Sequence, residues 1–451
     1  MNTPIYDFVQ TYVESGATRL HMPGHKGVAG PLGVEPHDIT EIDGADVLSK
    51  ACGIIAESEA NAGELFGCRT FYSTEGSSLC IRTMVFLLKK LALRSGKKPL
   101  ILAARNVHRS FVDAVALLDV EVEWIMPHIG ESYESCSISG EELGSLLDRY
   151  DREGRMPSAV YVTSPDYLGN VADIAALAEA CHDRRCLLMV DNAHGAYLRF
   201  LSDNAHPIQL GADICCDSAH KTLPVLTGGA YLHIHWDAPA PFFREAERAM
   251  VLFSSTSPSW LILQSLDRMN RELAGDYPEH LCRMTEKLKE LKKTLREEGW
   301  TLAGDEPLKL TLRAADRGYT GEELHDILRS RGIECEFADR EYLVMMPSAD
   351  TPDADLEKLL SALRAVPRKA PLQEKAPPLP TPEKAMSIRE AMFSPREKLP
   401  TDQAAGRVLA DACVSCPPAV PVIIAGERIT PQAAKCMSYY NITACDVVVN
   451  A

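Results

Sequence analysis

The chain has 451 residues, 46% hydrophobic, 24% charged and 6% aromatic, a composition that suits two or three folded domains and excludes a low-complexity or disordered chain. Its 63 acidic against 47 basic residues leave a formal charge of −16, which repels nucleic acid and anionic membrane surfaces and favours a cationic small partner. No apolar run is long enough to span a membrane, the start carries Asp7 and Glu14 where a signal peptide needs a basic and then an apolar segment, and the fourteen cysteines lack framework spacing, so a cytoplasmic protein with reduced thiols is expected.

In chain order, the turn containing Ser73, Thr74, Gly76, Ser77 and Ser78 leads into an apolar helix expected from Leu79. Short apolar runs then alternate with helical stretches: PLILAA from Pro99, a helix over 110–118, VEVEWI, SAVYVT, a helix over 174–184, CLLMVDNAH, GADICC and LTGGAYLHI. That alternation predicts an α/β domain with a mostly parallel sheet covered on both faces. Ser164, Asp166, Asp191 and His194 follow such strands, at the ends where ligand crevices form. Residues 277–300 have helical periodicity with Glu and Lys four apart and are expected to bridge to a small α+β domain. LKLTLRA, a helix over 321–330, IECEFADREYLVMMP and a helix over 354–365 build that domain. The expected organisation is a large domain over 1–276, the small domain over 277–366, a Pro-rich linker over 367–385 and a terminal module over 386–451.

The segment SAHKTLP at 218–224 places Lys221 just past a strand, beside a histidine and two hydroxyls. Taken alone it reads as a surface lysine in a polar loop. Asp191, thirty residues earlier, directly follows the apolar strand MV. A carboxylate at a buried strand end is costly without a partner, so Asp191 is either a helix N-cap, a core ion-pair aspartate or the partner of a protonated ring nitrogen such as that of pyridoxal 5'-phosphate (PLP). An amine for an aldehyde and an acid for a ring nitrogen together point to that cofactor. The Gly-Ser turn at 76–78 offers N–H groups and hydroxyls to one phosphate, although such turns also simply cap helices. His108, in ARNVHRS, is either a structural histidine or an imidazole able to stack on a cofactor ring. The acids of DITEIDGADVL, namely Asp38, Glu41, Asp43 and Asp46, are either a solvated loop or partners of a distal cation, with Glu41 and Asp46 singled out. Cys413 and Cys416 form a CxxC, and Cys436 and Cys445 follow at the wrong spacing for a zinc site; free thiols and no metal are expected.

HMPGHKG, DITEIDGADVL, STEGSS, RNVHRS, SPDYLGNVADI, VDNAHGAY, SAHKTLP, SSTSPSW and GRVLADACVSCPPAVP, taken in order, resemble the Orn/Lys/Arg decarboxylase family of fold type I PLP enzymes across nearly the whole chain. The resemblance implies Lys221 as the Schiff-base lysine, His220 as the adjacent active-site histidine, Asp191 as the pyridinium partner and His108 as the ring-stacking imidazole. It further implies Gly76, Ser77, Ser78 and Ser218 around the phosphate, His194 three positions after the aspartate, and Thr227 with the segment 254–257 serving the opposite subunit of a homodimer or higher homo-oligomer. The chain looks like the family's short form, without the N-terminal wing domain. It departs from the family's Tyr-Pro-Pro-Gly with Cys416, Pro417, Pro418 and Ala419. The implied reaction is loss of the α-carboxylate from arginine, lysine or ornithine, giving agmatine, cadaverine or putrescine plus CO2, with Lys221 or His220 returning a proton to Cα. Another fold type I activity, such as an aminotransferase, aldolase or lyase, and a catalytically silent regulatory homologue are the competing readings.

Overall fold

A computed structural model of the chain describes residues 1–411 and 418–449; the CxxC cysteines, Cys413 and Cys416, and Pro417 lie outside the described residues. The large sheet has seven strands: β1 (Arg69–Ser73), β2 (Leu100–Ala104), β3 (Glu121–Ile125), β4 (Ala159–Thr163), β5 (Leu187–Asp191), β6 (Ile214–Asp217) and β7 (Ala230–Ile234). Two compact units divide the chain, Met1–Lys98 with Ile174–Cys282, and Pro99–Asp173 with Arg283–Ala451.

In the first unit the strands run in the order β1-β7-β6-β5. β5 and β6 are parallel, and β7 is antiparallel to both of its neighbours. Strands β6 and β7 are buried along their whole length, which is why they read as near-continuous apolar runs. The helix Gly76–Arg94 follows β1 and buries Leu79, Cys80, Met84, Leu87 and Leu88, a stripe at the three-to-four-residue spacing of one helix face. It starts three residues before Leu79, because glycine and serine serve well in a first turn.

In the second unit the order is β4-β2-β3, all parallel. A four-stranded antiparallel sheet follows, in the order β10-β11-β9-β8, from β8 (Leu302–Ala303), β9 (Leu310–Arg313), β10 (Phe337–Ala338) and β11 (Tyr342–Met345). Residues 367–383 form neither helix nor strand. The terminal module pairs β12 (Arg396–Pro400) with β13 (Ala444–Val448) around a core that includes Leu409, Val422, Ile429, Met437 and Val447.

A buried ion pair ties that module to the end of β2. Arg105 Nη1 and Nη2 donate to Glu427 Oε1 and Oε2 at 2.8 and 2.7 Å, and the Ile424 N–H donates to the same carboxylate. The guanidinium also lies over the Trp124 ring. Both side chains are almost wholly buried, so deleting one partner strands the other's charge in a dry interior, at a cost of about 3–5 kcal/mol. Urea unfolding of Glu427→Ala is therefore expected to show a loss of that size, whereas a variant within the error of wild type would make the pair a bystander.

Candidate active site

The first unit gathers most of the residues singled out in the sequence. Strand β6 ends at Asp217, and the chain turns through a one-turn helix, Ala219–Thr222, that carries His220 and Lys221. Lys221 Nζ lies 2.8 Å from His194 Nε2, so the ammonium donates to the imidazole lone pair. His220 turns elsewhere, its Nδ1 3.0 Å from the Gly229 carbonyl. A carbonyl accepts only, so Nδ1 carries the proton and Nε2 keeps its lone pair. Burial lowers the pKa of this imidazole, with the Lys221 charge acting in the same direction and the Gly229 bond opposing it.

Asp191 closes β5 and is buried. Its Oδ1 accepts from the Ala193 N–H at 3.2 Å and from the Cys216 thiol at 3.7 Å. Ser218 Oγ donates to Ser77 Oγ at 2.8 Å, which joins the end of β6 to the first turn of the helix Gly76–Arg94. Gly76 has φ +69° and donates its N–H to the Gly228 carbonyl. A Cβ built on Gly76 would meet nothing within 4 Å, so open space lies over this turn. Ser78 is half-buried in the same turn. Thr227, Ser255, Thr256 and Ser257 are exposed, and the Ser255 N–H donates to Glu75.

The acidic segment divides in two. Asp46 is buried, and its carboxylate accepts the N–H groups of Val47, Cys52, Gly53, Ile55 and Ala56 at the start of the helix Ile54–Phe66. Burial pushes its pKa up, but the donated N–H groups outweigh it and hold the carboxyl below the usual range. Glu41 is exposed and lines a cleft with Glu59, Glu75, Glu247 and Thr256. Asp38 pairs with His25.

In the second unit, His108 caps the helix Arg109–Leu118: its Nδ1 accepts from the Ser110 N–H at 3.1 Å. Asp166, past the end of β4, accepts from Ser135 and from the Asn170 side chain, and it lines a cavity of about 540 Å³ together with Asn106, Thr163 and Tyr342.

Sequence reasoning missed one feature of the first unit. Asp217, immediately before Ser218, is fully buried with its carboxylate between His206 and His233. His206 comes from the stretch between β5 and β6 and His233 from β7, so their convergence has no short-range signature; the only local hint is the aspartate beside SAHK.

The profile of the Orn/Lys/Arg decarboxylase major domain matches residues 3–311, and that of the family's C-terminal domain matches 370–446. The chain belongs to the Orn/Lys/Arg decarboxylase family. It is 29% identical to the uncharacterized protein YaaO of Bacillus subtilis over 97% of this chain and 94% of that protein. It is 28% identical to an arginine decarboxylase of Halalkalibacterium halodurans over 95% and 91%. Among solved structures, the constitutive lysine decarboxylase of E. coli is similar with a TM-score of 0.77 at 17% identity, covering 99% of this chain and 82% of that one. Orn/Lys/Arg decarboxylases are PLP-dependent enzymes of fold type I that act on basic amino acids, and the mostly parallel seven-stranded sheet with a small antiparallel sheet is that fold. No helix among the described residues is long and apolar enough to cross a membrane.

The depressed Asp46 pKa sets a pH signature. A carboxyl held below its unfolded value adds stability that is complete above the unfolded pKa and is lost as pH falls through the folded one. Asp46→Asn is therefore expected to lose about 1–3 kcal/mol at neutral pH, with the gap from wild type shrinking below the usual carboxylate range. Chemical unfolding at pH 7 and in acid measures both, and a pH-independent gap would contradict the assignment.

Proposed function

We propose that this chain decarboxylates a basic L-amino acid with PLP bound covalently through Lys221, and that arginine is its substrate. The observation that carries the reading is the amine of Lys221, fixed on His194 in the unit whose strand ends also hold Asp191 and the Ser77–Ser218 hydroxyl pair. The residues present suit the cofactor. Open space lies over Gly76 at a helix N-terminus beside two hydroxyls, a place that favours an anion such as a phosphate. A buried carboxylate at 191 suits a protonated ring nitrogen.

PLP, when bound, supplies the electron sink that lets the α-carboxylate leave as CO2. The chain's own groups do the rest. Ser77, Ser78 and Ser218 hold the phosphate. Asp191, buried at the end of β5, would keep the proton on the ring nitrogen. Lys221 returns a proton to Cα; His220, whose Nδ1 proton lies on the Gly229 carbonyl, does so only after taking up a proton at Nε2. His108 is assigned to the face of the ring from its place in RNVHRS.

The cation of the substrate side chain is assigned to Glu41, whose cleft also carries Glu75 and Glu247; the carboxylate of Asp46 is already engaged by backbone N–H groups. Arginine is preferred over lysine and ornithine because full-length relatives at 28% identity are named arginine decarboxylases. The reading includes a cytoplasmic homodimer, with exposed Thr227 and Ser255–Ser257 available to the second copy.

Incubating the PLP-loaded protein separately with L-arginine, L-lysine and L-ornithine, with amine and CO2 both quantified, tests this directly. Agmatine and equimolar CO2 from arginine, at the highest kcat/KM, is the expected result; a keto acid, or no product from any of the three, would overturn the reading. Glu41→Gln is expected to raise KM roughly fivefold, the worth of one solvated ion pair, while leaving kcat near wild type. An unchanged KM would remove Glu41 from the site.

A further inference from the structure

Behind Asp191 and Ser218 lies a polar cluster for which the proposed chemistry has no direct use. Asp217, Asn192, His206 and His233 are all fully buried. Asp217 Oδ1 accepts from Asn192 Nδ2 at 2.6 Å, and Oδ2 accepts from His206 Nε2 at 3.0 Å and from His233 Nε2 at 3.1 Å.

The ligand atoms of His206, Asp217 and His233 lie within 4.8 Å of one another, a grouping able to hold a metal ion. The hydrogen-bond partners of the rings argue for a different role. His206 Nδ1 faces the Ile208 N–H at 3.4 Å, so it is an acceptor and the ring proton sits on Nε2, aimed at Asp217. His233 Nδ1 lies 2.9 Å from the Thr70 hydroxyl, which can donate to it and so leaves the proton on Nε2 there as well. Both nitrogens that would bind a metal are then N–H donors to one carboxylate. Burial would raise the pKa of Asp217, but the two imidazoles reverse that and hold it well below the usual carboxylate range, while burial keeps His233 below its ordinary value. The cluster is a buried anion satisfied by three donors, a costly arrangement unless every partner is in place.

Its position in the chain gives it a use. Asn192 is the next residue after Asp191, and Asp217 is the residue before Ser218. The Asn192 N–H also donates to the Cys216 carbonyl, and His233 pairs with Cys215 across β6 and β7. At the far end of the same strand pair, Gly229 accepts from the N–H of His220 and Gly228 from that of Gly76. One carboxylate thus joins the end of β5, the end of β6 and the strand β7.

We propose that Asp217 is a positioning residue for the cofactor site: by holding Asn192, His206 and His233 on one carboxylate it sets where Asp191 stands relative to Ser218 and Lys221. The inference rests on the function proposed above and adds to it a residue that touches neither substrate nor cofactor. A carboxylate displaced at 191 holds the proton on the ring nitrogen less well, and a displaced Ser218 holds the phosphate less well. Binding of the substrate side chain, which uses other residues, is untouched.

The test uses the full-length chain carrying Asp217→Asn, with PLP titrated by the visible absorbance of its covalent link to Lys221. Expected are a folded protein, PLP affinity weakened about tenfold, kcat lowered up to about a hundredfold and KM for the amino acid within about twofold of wild type. A folded variant with wild-type PLP affinity and kcat, changed only in melting temperature, would overturn the proposal and leave the cluster as structural packing. If Asp217→Asn does not fold, Asn192→Ala, which removes one donor and keeps the anion, takes its place: weakened PLP affinity and kcat support the proposal, and wild-type values overturn it. A wild-type chain that takes up no PLP refutes the cofactor reading itself, and with it the proposal, and so is distinct from a wild type that loads normally beside an unaffected variant.

Discussion

The arrangement depends on where the amine of Lys221 is held. A lysine side chain is long and strongly hydrated, and without a partner its end samples a wide volume. Here a single helical turn brings it to His194 at 2.8 Å. That turn is itself held by Ser218 on Ser77 at its start and by the His220 N–H on Gly229. The amine is thus fixed by the ends of strands β5, β6 and β7 rather than by a flexible loop, which is the condition for reproducible covalent chemistry at one atom.

Four buried carboxylates, Asp46, Asp217, Glu59 and Asp339, differ in the donors they receive. Asp46, with backbone N–H groups around it, and Asp217, with two imidazoles and an amide, lie below the usual range despite burial. Glu59 and Asp339 have fewer compensating donors, and burial pushes them up to about 8 and about 7. The first kind is an anion built into the fold and the second carries a proton near neutral pH. The same accounting explains Arg105 and Glu427, where a bidentate pair and one backbone N–H let two opposite charges remain in the interior.

Much of this is legible in the sequence because it depends on local pattern. The strands of the large sheet are short apolar runs bounded by turns, and Asp191 and Lys221 follow two of them, which marks both as candidates. What escapes needs side chains that meet across distance. The contact between His194 and Lys221 joins residues 27 apart, and nothing near either one announces the other. His206, from the stretch between two strands, reads as an ordinary loop histidine until β6 places Asp217 beside it. The acids at 38–46 show the same limit from the opposite side. Composition shows that they are numerous, but only the chain's turn at Cys52 and Gly53 shows Asp46 facing backbone N–H groups while Glu41 stays exposed.

The most direct check of the account is chemical. The protein loaded with PLP is reduced with borohydride, digested, and mapped by mass spectrometry. A phosphopyridoxyl group on the peptide containing Lys221, and its disappearance in Lys221→Ala, is the result the account predicts. A label on some other lysine, or on none, would contradict it.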